Sequence, residues 1–206
     1  MEFIDTHIHL QDYKARYTTE IISAAQSAGV CRFICCGTSP QDWGRVASLA
    51  DEFASAVTPA FGLHPWYISS STGEWEAELE RMLSAYPHAL IGECGLDGIK
   101  NPSPEPQLSV LRRHISLARA YHRPLLIHSV KAQSWFEGMW KELPPCFVFH
   151  SFSGSLEFAR QIIKSGGYIS FSFSIMRHPH AAELIKTIPL SRLLFETDGP
   201  YQPPHK

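Results

Sequence analysis

Short apolar runs alternate with longer segments of helical periodicity along nearly the whole chain. The runs at 3–9, 30–37 (VCRFICCG), 57–62 (VTPAFG), 89–93 (ALIGE), 124–129 (PLLIHS), 146–150 (CFVFH), 167–173 (GYISFSF) and 193–198 (LLFETD) read as strands. Helical patterns fill 18–28, 40–54, 74–86, 104–122, 131–142, 155–166 and 180–187. In TTEIISAAQSAG, Ile21, Ile22, Ala25 and Ala28 recur near helical spacing, and Gly29 then ends the segment in the manner of a C-cap. Leu156, Ala159, Ile162 and Ile163 repeat the pattern ahead of Gly166. The Pro-rich piece NPSPEP, 101–106, reads as a loop opening the long fourth helix.

Eight strands alternating with helices predict a parallel α/β fold, and eight is the number that closes a TIM-type (β/α)8 barrel. An open doubly wound sheet competes, but no Gly-rich phosphate-binding turn follows the first strand. With no linker, repeat or low-complexity stretch, residues 1–206 are expected to form one domain.

The polar residues that close these strands change the picture from fold to chemistry. The first run ends in the motif DTHIHL, and strict alternation would put Asp5, His7 and His9 on one face. His7 and His9 close strand one, Glu93 strand four, His128 strand five, His150 strand six and Asp198 strand eight. Alternation pairs Ile91 with Glu93, Leu126 with His128 and Val148 with His150. All six polar residues fall at the C-terminal ends of strands, where TIM-barrel active sites lie. A lone strand-end histidine is usually just hydrogen-bonded. Six ligand-type side chains buried together without a cation would cost several kcal/mol each, so a divalent metal site is expected.

Composition narrows the options. The chain is 44% hydrophobic and 18% charged with a net charge of −2, which leaves no basic field for coating nucleic acid. A nuclease stays open, because bound metal supplies local positive charge. The five cysteines, Cys31, Cys35, Cys36, Cys94 and Cys146, are odd in number and contain no C-x-x-C pair, so they are expected reduced and structural. No cationic leader precedes the first strand and no apolar run reaches spanning length, so a cytoplasmic location without membrane association is expected.

The motifs DTHIHL (5–10), GLHPW (62–66), IGECGLD (91–97), PLLIHS (124–129), HSFSGS (150–155) and ETDGPY (196–201) together resemble the TatD family of metal-dependent deoxyribonucleases, within the amidohydrolase-like TIM barrels. The resemblance covers nearly the whole chain. It implies that His7, His9, Glu93, His128, His150 and Asp198 bind one or two divalent ions (Mg, Mn, Zn or Fe), with Glu93 bridging. It implies that Asp198 and Glu93 are catalytic, that His64 lies by the scissile phosphate, and that DNA is the substrate. From the residues alone His64 ranks below the others, since a His-Pro turn can be purely structural.

Two departures qualify it. The family commonly has Ser-Arg after the fifth-strand histidine, whereas this chain reads Ser129-Val130-Lys131, displacing or deleting a phosphate-binding cation. Relatives also continue past the eighth strand, whereas this sequence ends at Lys206, so the barrel is expected to lack its C-terminal helical part. Leu193 and Phe195 are then expected to face outward uncovered, and self-association or a partner is expected over that gap. Asp97 reads as a loop cap, Glu196 as a buried group orienting ligands, and His178 and His180 as the approach to a helix. Two alternatives to the nuclease are an amidohydrolase-like enzyme acting on a C–N bond, which the absence of a strand-end lysine disfavours, and an inactive metal-binding scaffold.

Overall fold

The computed structural model describes residues 2–71, 73–100 and 103–203. Every apolar run pairs in parallel with the next, so that sheet order equals sequence order: β1 (Phe3–Ile8), β2 (Val30–Cys36), β3 (Val57–Phe61), β4 (Leu90–Asp97), β5 (Leu125–Val130), β6 (Phe147–Phe149), β7 (Tyr168–Phe171) and β8 (Leu193–Phe195). Between them lie α1 (Ala15–Ser27), α2 (Pro40–Glu52), α3 (Trp75–Ala85), α4 (Pro104–Ala120), α5 (Leu156–Lys164) and α6 (Ala181–Thr187). Local chemistry starts these helices where the sequence placed them. Ser39 and Asp42 form a capping box with Pro40 in the first turn of α2, and Ser155 Oγ accepts from Phe158 N at 3.1 Å to start α5. Residues 101 and 102 of the predicted loop 101–106 lie outside the described residues, and α4 starts at Pro104.

The barrel closes through the segment after β8. Phe195 O accepts from Thr6 Oγ1 at 2.9 Å, Asp198 N donates to His7 O at 2.9 Å, and His9 N donates to Gly199 O at 2.8 Å. Eight parallel strands alternating with helices make this a TIM-type (β/α)8 barrel, as the strand count predicted. The interior is filled by a small layer of Cys36, Ala60, Leu126 and Val148. The much larger core lies between barrel and helices, around Phe33, Trp43, Leu49, Phe61, Leu111, Phe136 and Phe149.

Three expectations are corrected by packing. Residues 131–142 hold only a single 3-10 turn, Gln133–Phe136. Gly138 takes φ +82°, which no right-handed helix accommodates, and the aromatics dock individually, Phe136 at 5.0 Å from the Phe149 ring. In β1 the register slips between Asp5, opposite Phe33, and Ile8, opposite Cys35, so two steps of the partner face three of β1. Asp5 therefore leaves the face of His7 and His9; its carboxylate accepts from Thr197 N at 3.0 Å and from Thr197 Oγ1 at 2.6 Å. Burial pushes the Asp5 carboxyl up to about 6. A second irregularity in β4, between Ile91 and Cys94, turns Ile91 into the outer core while Glu93 faces the barrel mouth, so those two do not share a face. On β8, Leu193 packs against the main core, while Phe195 is 57% exposed as predicted.

One buried histidine gives a pH signature independent of the site. Leu63 N donates to His114 Nε2 at 3.0 Å, so the proton resides on Nδ1, which donates to Val110 O at 2.8 Å. Burial pushes His114 down to about 4. Its neutral form is favoured in the folded chain, so its contribution is complete above pH 6.5 and declines as the unfolded chain protonates between 6.5 and 4. The loss totals about 3 kcal/mol. Denaturant titrations of wild type and His114→Gln from pH 7.5 to 4 should differ in slope across that window. Parallel curves would count against it.

Candidate active site

Glycines on either side of Glu93 allow β4 to aim it inward. Gly92 and Gly95 have φ +133° and +146°, and a Cβ at Gly95 would sit 2.1 Å from His128 O. The Glu93 carboxylate is the hub of the site. Its Oε1 lies 2.8 Å from His150 Nε2, 2.9 Å from His128 Nδ1 and 3.3 Å from His64 Nε2. Its Oε2 lies 3.3 Å from His7 Nε2 and 3.5 Å from His9 Nε2. Asp198 Oδ1 completes the ring at 3.4 Å from His9 Nε2, and the His7 and His150 rings stack at 3.9 Å. All six predicted residues, and His64 with them, thus face one space, although Glu93 sits inside β4 rather than closing it and Asp198 follows β8.

Three imidazoles have a partner behind them. His9 Nδ1 donates to Cys36 O at 2.8 Å, His128 Nε2 meets Asp97 Oδ2 at 3.2 Å, and His150 Nδ1 faces Glu196 Oε1 at 3.4 Å without a hydrogen bond. The other ring nitrogen of each points at the carboxylates, the arrangement in which an outer partner sets the tautomer of a ligating histidine. Three groups present ligand atoms within 4.8 Å of one another: His7, His9 and Asp198; His7, His150 and Glu196; and His64, Glu93 and His128. Buried imidazole and carboxylate donors of this kind fit divalent cations. Burial alone would raise Glu93, but the charges of His150, His64 and His7 and the His128 hydrogen bond hold it well below the carboxylate range. Burial likewise opposes protonation of His150, yet Glu93 and Glu196 pull it well above the ordinary histidine value.

Asp97 serves both readings of its position. Oδ1 accepts from Ile99 N and Lys100 N, each at 2.8 Å, while Oδ2 accepts from Trp66 Nε1 at 2.7 Å and touches His128. Gln202 was missed. Its amide nitrogen donates to Asp198 Oδ2 and to Ser151 Oγ, and its Oε1 accepts from Ser172 Oγ at 2.7 Å. The only sequence signal was its place four residues beyond Asp198, where Gln202 N donates back to Asp198 O at 3.2 Å. All of the ring except the fully buried His7 lines a cavity of about 540 Å3 whose wall includes Thr38, Trp66, Tyr67, Ser151, Arg177 and Tyr201. His178 also lines it, whereas His180 precedes α6. No cysteine belongs to these ligand groups, and all five are free thiols.

Fold and site together define a metal-dependent hydrolase of the (β/α)8-barrel class. A family model for TatD related DNases matches residues 4–206, and the chain belongs to that family. It is 32% identical over 189 residues to a 3'-5' ssDNA/RNA exonuclease TatD of Cronobacter turicensis, covering 88% of this chain and 72% of that protein. It is 32% identical over 211 residues to the metal-dependent hydrolase YjjV of Escherichia coli, covering 98% and 80%. The crystal structure of YjjV superposes with a TM-score of 0.89 at 31% identity, over 98% of this chain and 81% of that one. The chain is accordingly an enzyme, a nuclease acting on ester bonds of DNA.

Proposed function

We propose that His7, His9, Glu93, His128, His150 and Asp198 hold one or two divalent ions, with Mg, Mn, Zn and Fe the candidates, and that residues 1–206 act as one catalytic domain. The convergence of four imidazoles on the buried Glu93 carboxylate, with Asp198 against His9, carries this reading. His7, His9 and Asp198 form one half of the site, His128 and His150 the other, and Glu93 faces both. A divalent cation there supplies Lewis-acid polarisation of the phosphodiester and acidifies a water.

The chain's own groups do the rest. Asp198 orients the attacking water and accepts its proton. Burial pushes its carboxyl up, but the His9 hydrogen bond and the His150 and His7 charges outweigh that and keep it ionised at neutral pH. Trp66 N donates to His64 Nδ1 at 3.2 Å, so the proton of the neutral ring sits on Nε2, 3.3 Å from Glu93 Oε1. His64 also lines the cavity, and the reading sets it beside the scissile phosphate. The absence of a lysine at any strand end, together with the family membership, favours phosphodiester over C–N hydrolysis. Among the described residues no helix is long and apolar enough to cross a membrane, and the reading places the enzyme in the cytoplasm. It also assigns the exposed Phe195 face to contact with a second copy or a partner.

Metal analysis of the purified protein, paired with cleavage of labelled DNA across several divalent ions, tests the proposal. Bound metal and chelator-sensitive DNA cleavage are expected. Turnover of amides or amino-heterocycles without DNA cleavage would favour the C–N reading, and metal without any turnover the scaffold.

A further inference from the structure

The strand order sets what faces what across the mouth of the barrel. In a closed ring of eight strands, the segment after β3 lies opposite the segment after β7. The β3 side carries Trp66, 46% exposed, and Tyr67, with Lys100 Nζ 4.8 Å from the Trp66 ring. The β7 side carries Arg177 and His178, with Ser151, Ser153 and Ser174 along the same wall. That wall presents hydroxyls and one guanidinium, whereas the carboxylates Glu93 and Asp198 cluster with the histidines. Arg177 is the sole Lys or Arg lining the cavity among the described residues. Val130 lines the β5 side, and Lys131 is not part of the wall.

We propose that Arg177 is the phosphate-docking residue of this enzyme, holding the backbone of a DNA strand that crosses the mouth from β7 to β3, with a base resting on Trp66 at the far end. The proposal rests on the phosphodiesterase reading and extends it to groups flanking the reacting phosphate. A guanidinium suits a phosphate through paired N–H donors, and an exposed indole accepts any base face. The span leaves the phosphate between the two ends over Glu93, His64 and Asp198.

The test measures binding and cleavage separately on the metal-loaded enzyme. Binding of a fluorescent phosphorothioate single-stranded oligonucleotide is followed by anisotropy against salt concentration, and cleavage of the ordinary oligonucleotide gives kcat and KM. Arg177→Ala is expected to weaken binding about tenfold and to flatten the log Kd against log salt slope by about 0.7, the value for one phosphate of a single strand. KM should rise with kcat retained, and Arg177→Lys should restore the slope. Trp66→Phe keeps a ring but loses the Asp97 bond, while Trp66→Leu loses both, so weaker binding by Leu than by Phe isolates the base contact. Unchanged Kd and salt slope in Arg177→Ala would overturn the assignment, as would equal effects of Phe and Leu for the base contact. A wild type that binds through Arg177 but never cleaves would refute the phosphodiesterase reading and leave the docking site standing.

Discussion

Asp198→Asn is expected to reduce DNA cleavage by roughly a hundredfold to ten-thousandfold, the range that removal of a positioned general base produces, with the fold intact. Asp198 sits at φ +51° just past β8, a left-handed conformation that Asn tolerates nearly as well as Asp. Its backbone N–H to His7 O, which helps close the barrel, does not involve the side chain. The amide keeps one oxygen for Gln202 and loses the charge, the capacity to take a proton and the second oxygen that faces His9. Single-turnover cleavage and a thermal melt on the same preparation check this. Near-normal turnover by a folded Asp198→Asn protein removes it from the mechanism. Ala would be a poorer probe, since it adds left-handed strain to the loss of the carboxylate.

Glu93→Ala is expected to lose metal together with activity. Five imidazoles, those of His7, His9, His64, His128 and His150, lie within 3.5 Å of its two oxygens. Removing the one carboxylate among them leaves imidazoles facing each other across a buried space. Protonation of any of them then becomes costly, and each cation loses its shared anionic ligand. Metal content by elemental analysis should fall well below the wild-type stoichiometry, with cleavage undetectable. Full metal stoichiometry in a folded Glu93→Ala protein contradicts the bridging role. Glu93→Gln tests charge separately from shape, because it retains the oxygen that faces His150 and His128.

The contrast between these two residues shows what was legible in the sequence. Apolar runs separated by helical patterns are local signals, and a strand or helix begins where backbone and side-chain chemistry allow, so the eight strands and six of the seven helices could be read directly. The place of His7, His9, Glu93, His128, His150 and Asp198 at the barrel mouth followed from the same reading, although Glu93 lies inside β4, which continues to Asp97, and Asp198 lies beyond the end of β8 at Phe195. The failures came where alternation is interrupted by a neighbour. Asp5 and Ile91 were assigned faces by period-two counting, and register slips in β1 and β4 moved them, a decision made by pairing with β2 and β5. The predicted helix at 131–142 gave way to a 3-10 turn, because Gly138 and separately docked aromatics satisfy the core better than a continuous helix would.

Side chains that work through a distant partner left no periodic trace. Gln202 acquires its contact from Asp198 and the His128 partner of Asp97 comes from another strand, whereas Glu196 was already marked by its parity with Asp198. The sequence by itself determined the elements, their order and the residues offered at the barrel mouth, since each depends on near neighbours along the chain. Only the tertiary structure decided which way those residues point and which groups hold them. Facing and hydrogen bonding depend on register and ring closure, which join residues as far apart as Asp5 and Thr197.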